Sequence, residues 1–153
     1  MAELLHNEMF WAPFLGWVSA QILKTIIHFI VYKKFKSERL IGSGGMPSSH
    51  SATVCALMTA TAYHYGFSGF EFPMACTFGM IVMYDAINVR QETGKQSIIL
   101  NLFLNSEEIK KHLQESSKEK WTEIILKEYV GHTPLQVLCG MALGIVIGLL
   151  VCL

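Results

Sequence analysis

Four long apolar runs alternate with short polar stretches along this chain. They extend from Met9 to Tyr32, Ser51 to Phe67, Phe72 to Val89 and Thr133 to Leu153. A hydrocarbon core of about 30 Å requires about 20 mostly apolar residues per helix. The pattern therefore predicts an all-α polytopic membrane bundle of about four transmembrane helices, 9–32, 51–67, 72–89 and 133–153, in a single domain spanning 1–153. Pro73 falls near the start of the third run, where a missing N–H costs little. Thr133 and Pro134 occupy the N-cap and first helical positions of the fourth. In that fourth run Gly140, Gly144 and Gly148 recur at every fourth position. Such a small-residue stripe lets helices approach closely in lipid, within the bundle or in a homo-oligomer.

The polar stretch 96–130 predicts an arm with two short amphipathic helices, roughly 106–114 and 117–130. Asn105 with Glu108, and Ser116 with Glu119, have capping-box spacing. Glu107–Lys111 and Glu123–Lys127 are i,i+4 pairs on a solvated face. Ile109, Leu113, Trp121, Ile124 and Ile125 would lie on the membrane or the bundle.

Composition sharpens the membrane reading. Hydrophobic residues make up 52% and charged residues 16% of the chain, which is too apolar for an ordinary soluble domain. Twelve basic residues balance twelve acidic ones, leaving no nucleic-acid footprint. Cys55, Cys76, Cys139 and Cys152 all lie in apolar runs without metal-ligand spacing, and read as reduced small hydrophobes. The first apolar run lacks the basic flank and small-residue cleavage site of a signal peptide. Apart from Lys24, every Lys and Arg falls either after the first run (Lys33, Lys34, Lys36, Arg39) or between the third and fourth (Arg90, Lys95, Lys110, Lys111, Lys118, Lys120, Lys127). The positive-inside rule places both segments in the cytoplasm and both termini outside, in the plasma membrane if the source is bacterial.

That topology gathers the chemistry at one end. Ser43-Gly44-Gly45-Met46-Pro47-Ser48-Ser49-His50-Ser51-Ala52 opens the second helix with freed amides and hydroxyls, the groups that bind phosphate at a helix N-terminus. Asp85 and Arg90 end the third helix, and Glu128 and His132 precede the fourth. Gln21, Lys24 and His28 share one face of the first helix. A lysine inside a span costs roughly 2.5–3.5 kcal/mol and usually faces a polar interior. Asp85 and Arg90 either form a structural ion pair or reach separately into a pocket. His132, at a helix N-terminus, suits a neutral imidazole nucleophile if a neighbour fixes its tautomer.

The sequence resembles the divergent membrane branch of the type 2 phosphatidic acid phosphatase superfamily, which is related to acid phosphatases and vanadium haloperoxidases. The resemblance covers nearly the whole chain. It rests on Gln21-x-x-Lys24, the Ser43–Ala52 segment, Tyr84-Asp85-Ala86 through Arg90, Gly94 with Gln96, Asn101, Glu128 and Gly131-His132-Thr133-Pro134. It implies a membrane phosphohydrolase acting on a lipid phosphate or pyrophosphate, with His132 as nucleophile and His50 as general acid. Asp85 or Glu128 would orient His132. Lys24, Arg39, Ser48, Ser49, Arg90 and Lys95, with the Gly44 and Gly45 amides, would hold phosphate, and no metal or other cofactor is implied. The sequence departs from the superfamily motifs at three places. Gln136 stands where an aspartate is expected, Leu126 where an arginine is expected, and Arg39 is followed by Leu40 rather than proline. These departures keep open a repurposed, inactive membrane protein that binds anionic lipid headgroups.

Overall fold

The computed structural model describes residues 6–33, 44–116, 126–128 and 130–153. The described residues form an all-α bundle: α1 (Glu8–Tyr32), α2 (Ser49–Tyr65), α3 (Glu71–Ile87), α4 (Val89–Leu104), α5 (Glu107–Ser116) and α6 (Pro134–Cys152). Local chemistry sets the ends. The Asn7 side chain accepts from the Met9 amide to start α1, and left-handed Lys33 closes it. Ser48 caps α2, and Gly66, at φ 68°, ends it. Thr133 and Gln136 form a reciprocal capping box at α6, with Pro134 in the first turn.

Three helical stretches are long and apolar enough to cross a bilayer: α1 with 25 residues, Glu71–Leu104 with 34, and α6 with 19. The expected second span begins two residues early, at Ser49, and with 17 residues is shorter than these three. This helix is the centre of the bundle, packed against α1, α3 and α6. Ala12 and Ala20 of α1, and Ala52, Ala56 and Ala60 of α2, are fully buried. Large apolar residues such as Ile30, Phe78, Met80 and Leu150 point outward. Small inside and large outside is the order of a bundle whose solvent is lipid.

The glycine stripe of α6 is used within the chain. A Cβ on Gly140 would stand 2.4 Å from the Ser48 carbonyl oxygen, and one on Gly144 2.4 Å from that of Ala52. At Gly148 it would lie 2.7 Å from the Thr59 Cβ. The homo-oligomer face expected from this stripe is therefore corrected: α2 already covers it.

Two further expectations change. The arm does not begin at 96, because α3 resumes after Asn88 as α4 and continues through Leu104. Ile98, Ile99, Leu100, Leu102 and Phe103 lengthen its apolar surface, which the nearby charges Arg90, Glu92 and Lys95 obscured in the sequence. Asn105 closes α4, its amide bonding to Asn101, rather than opening a new helix. The first arm helix is present as α5. Most of the second, residues 117–125, lies outside the described residues, and Leu126–Glu128 are not helical.

Gly144→Val should destabilise the protein by at least about 1–3 kcal/mol through overpacking against backbone. Lipid-facing Val146→Leu should be close to neutral. Thermal unfolding of the two variants in one detergent would compare them; equal midpoints would contradict tight α2–α6 packing.

Candidate functional site

The polar residues converge at the end of the bundle where α2 and α6 begin. Both starts are locked together, since the Ser48 amide donates to the Gln136 carbonyl at 3.0 Å. The His132 amide donates to the Ala86 carbonyl, also at 3.0 Å, fixing the approach to α6 against the end of α3. These ties bring the His50 and His132 rings to a centroid distance of 5.7 Å, edge to face.

Hydrogen bonding fixes the protons on both rings. Gln136 Oε1 accepts from the Thr133 amide at 3.2 Å and lies 3.1 Å from His132 Nδ1. An atom that accepts a backbone N–H is the amide oxygen, so His132 Nδ1 donates to it and Nε2 carries the lone pair. Arg90 Nη1 lies 3.1 Å from His50 Nε2. Arginine only donates, so His50 Nε2 accepts and the ring proton sits on Nδ1. The remaining nitrogens, His132 Nε2 and His50 Nδ1, are buried and have no hydrogen-bond partner among the described residues. One is an acceptor and the other a donor.

Cations surround this pair. Arg90 Nε donates to Asp85 Oδ2 at 2.6 Å. The five-residue separation does not stack well on a regular helix, but the helix is distorted at Asn88, with ψ −72°, between α3 and α4. Lys24 is 3% exposed, and its charge acts on both rings. Its aliphatic stem lies under Gly45, where a Cβ would be 3.3 Å from Lys24 Cγ and Cδ. Gly44 and Gly45 both adopt φ 87°, which favours glycine and lets the loop lie on the lysine. Gln21 is buried one turn away with its Oε1 unpartnered among the described residues, and His28 stacks on Tyr32 at 4.7 Å.

A cavity of about 280 Å³ opens beside His132, lined by Gly44, Gly45, Gln91, Lys95, Glu128 and Gln136 among others. Its wall is held by α4, whose Gly94, Ser97 and Asn101 form one buried face. Asn101 Oδ1 accepts from the Leu126 amide at 3.0 Å, and its Nδ2 donates to the Leu126 carbonyl and to Glu128 Oε1, both at 2.9 Å. A Cβ on Gly94 would stand 2.4 Å from the Glu128 carbonyl oxygen, so the segment lies directly on α4.

Several expected site residues are engaged elsewhere. Asp85 pairs with Arg90, and Glu128 holds Asn101; it is Gln136, rather than either carboxylate, that contacts the His132 ring. Ser48 is fully buried, with its amide on Gln136 and its hydroxyl accepting from the Ser51 amide and hydroxyl. Ser49 is buried in the first turn of α2. Lys95 reaches Glu92 at 2.6 Å on the exposed rim. Arg39 and Ser43 lie outside the described residues. The orienting role of Gln136 was missed because a glutamine at the aspartate position reads as a loss. The signal was its spacing, four residues after His132, together with the Thr133–Gln136 cap.

Burial draws the His132 pKa below 6.5; its Gln136 bond and the nearby Gly45 backbone oppose this, and the charges of Lys24 and Arg90 reinforce it. The unfolded ring takes up a proton near pH 6.5 and the folded ring only below that. This contribution to stability is therefore present above pH 6.5 and lost as pH falls from there toward the folded pKa.

These observations define an integral membrane protein of helical bundle architecture with a paired-histidine site at one end. The chain belongs to the Divergent PAP2 family, whose model matches residues 5–147. It is also similar to the protein named "Uncharacterized membrane protein YuiD" of Bacillus subtilis (strain 168), with 36% identity over 154 residues covering 96% of this chain and 95% of that one. No solved structure matches it.

Gln136→Glu should raise the His132 pKa by about 1–3 units, since a carboxylate on Nδ1 favours the imidazolium. Histidine NMR titration of the purified protein would measure it, and an unchanged value would show that Gln136 does not contact the ring.

Proposed function

We propose that this protein is a membrane phosphohydrolase acting on a lipid phosphate or pyrophosphate through a phosphohistidine intermediate. The observation that carries the reading is the complementary pair of unpartnered nitrogens, His132 Nε2 with a lone pair and His50 Nδ1 with a proton, beneath Lys24 and Arg90. His132 Nε2 attacks phosphorus, the bond to the leaving oxygen breaks, and His50 delivers the proton to that oxygen. For this step Arg90 Nη1 turns from His50 Nε2 to a phosphate oxygen, Nε2 takes up a proton from solvent beside the dianionic phosphate, and the imidazolium gives its Nδ1 proton to the leaving oxygen and returns to a neutral ring. Water activated by His50 then cleaves the P–N bond, releasing phosphate and restoring the His132 lone pair. Lys24, Arg90 and the Gly44–Gly45 loop hold the equatorial oxygens. Ser49 and Lys95 edge this set, with Lys95 on the cavity wall, while Ser48 supports the loop as a cap. Asp85 positions Arg90, and Glu128 positions the segment leading to His132. Arg39 belongs to the phosphate set by sequence alone.

A second reading, binding of anionic lipid headgroups without turnover, is favoured by a neutral amide on His132 and by Leu126 where an arginine is expected. Phosphate release from phosphatidic acid and phosphatidylglycerophosphate in detergent micelles separates the two. The hydrolase reading expects His132→Ala to lose at least a thousandfold in turnover and His50→Ala about 10²–10⁴-fold. His132→Ala hydrolysing as fast as the unaltered protein would sink the mechanism, and vanadate binding without turnover would support the second reading.

The site end carries the basic segments, so we place it at the cytoplasmic face, with substrate drawn from the inner leaflet. Ser43→Cys in a background lacking the native cysteines should resist an impermeant thiol reagent in intact cells and react after permeabilisation. Labelling in intact cells would reverse the orientation.

A further inference from the structure

The opposite end of the bundle holds a second cluster of reactive side chains, remote from the histidine pair. Glu8 opens α1, His64 lies in the last turn of α2, and Cys152 ends α6. His64 Nε2 lies 2.7 Å from Glu8 Oε2. The Cys152 thiol, in a residue only 8% exposed, lies beside both of them. One imidazole nitrogen, one carboxylate oxygen and one sulfur all fall within 4.8 Å of one another. They come from three different helices, so only the folded bundle assembles them.

We infer that this cluster is a zinc site that fastens the ends of α1, α2 and α6. The donor set is the reason for the metal: nitrogen, sulfur and carboxylate oxygen together suit a borderline-soft ion and are poor for magnesium or calcium. Zinc holds such ligands at about 2.0–2.3 Å. The Glu8 and His64 side chains are 43% and 35% exposed, so both are free to rotate by the small amount that places all three donors on one ion. Their exposure also leaves a water-accessible fourth position. On binding, the ion replaces the direct His64–Glu8 hydrogen bond, and the Cys152 S–H proton passes to solvent as the thiolate–zinc bond forms. A dication with a thiolate and a carboxylate is charge-neutral, which suits a site at the edge of an apolar bundle.

The reading is independent of the chemistry proposed for His50 and His132, and its test does not use turnover. Full-length protein in detergent, stripped with chelator, is titrated with zinc and, separately, with cobalt. One equivalent per chain is expected, with a cobalt–thiolate absorption band in the near ultraviolet and a zinc-dependent rise in the thermal midpoint. Cys152→Ser should abolish the band, and Glu8→Gln and His64→Ala should each weaken zinc at least tenfold. His132→Ala should bind as the unaltered protein does. Substoichiometric binding, binding that survives both Cys152→Ser and His64→Ala, or binding lost in His132→Ala would each overturn the inference. A variant that fails to fold is replaced by Glu8→Gln, whose affinity decides alone: unchanged affinity counts against the site.

Discussion

Gly140 and Gly144 bring the backbone of α6 so near α2 that a Cβ at either would stand 2.4 Å from a carbonyl oxygen of Ser48 or Ala52. The rest of the structure depends on this approach. It allows the Ser48 amide to reach the Gln136 carbonyl and so sets the first turns of two helices side by side. His50 follows Ser48 by two residues, and His132 precedes Gln136 by four. Their separation is therefore a property of backbone packing, with little left to side-chain flexibility. Lipid offers no hydrophobic drive to hold helices together, so van der Waals contact and interhelical hydrogen bonds carry this arrangement.

A second layer of order comes from groups that donate or accept in one way only. Arg90 has only donors, and a backbone amide has one. Placed against His50 and Gln136, they leave the imidazoles a single proton arrangement each. Arg90, just past the distortion at Asn88, follows the same rule, with Nε on Asp85 and Nη1 left for His50. Asn101 acts similarly on the chain before α6, satisfying both backbone groups of Leu126 with its two amide ends. Buried polar groups satisfied in this manner specify geometry more than they add stability.

The bundle was largely legible in the sequence because a 20-residue apolar run has few alternatives and because Thr133-Pro134 and the glycine stripe are local signals. The continuation of α3 into α4 was hidden, since Arg90, Glu92 and Lys95 interrupt the hydropathy where the helix does not stop. The site was legible as a set of residues gathered at one end, from topology and family resemblance, but not as a set of contacts. Asp85 and Glu128 look equally suited to hold a histidine in one dimension; their engagement with Arg90 and Asn101 is a fact of tertiary packing. Gln136 was visible only as a departure, although a side-chain amide fills the hydrogen-bonding half of an aspartate's role.

That substitution changes how the site responds to its surroundings. A carboxylate behind an imidazole is itself titratable, so alignment and charge vary together. The Gln136 amide does not ionise, and the Thr133 amide holds its oxygen in place whatever the protonation of the ring. Alignment of His132 is thereby separated from the acidity of the medium, and only the ring's own proton remains to vary. The arrangement exchanges electrostatic assistance for constancy of aim, leaving the positive charge that meets an anion to Lys24 and Arg90, on other helices.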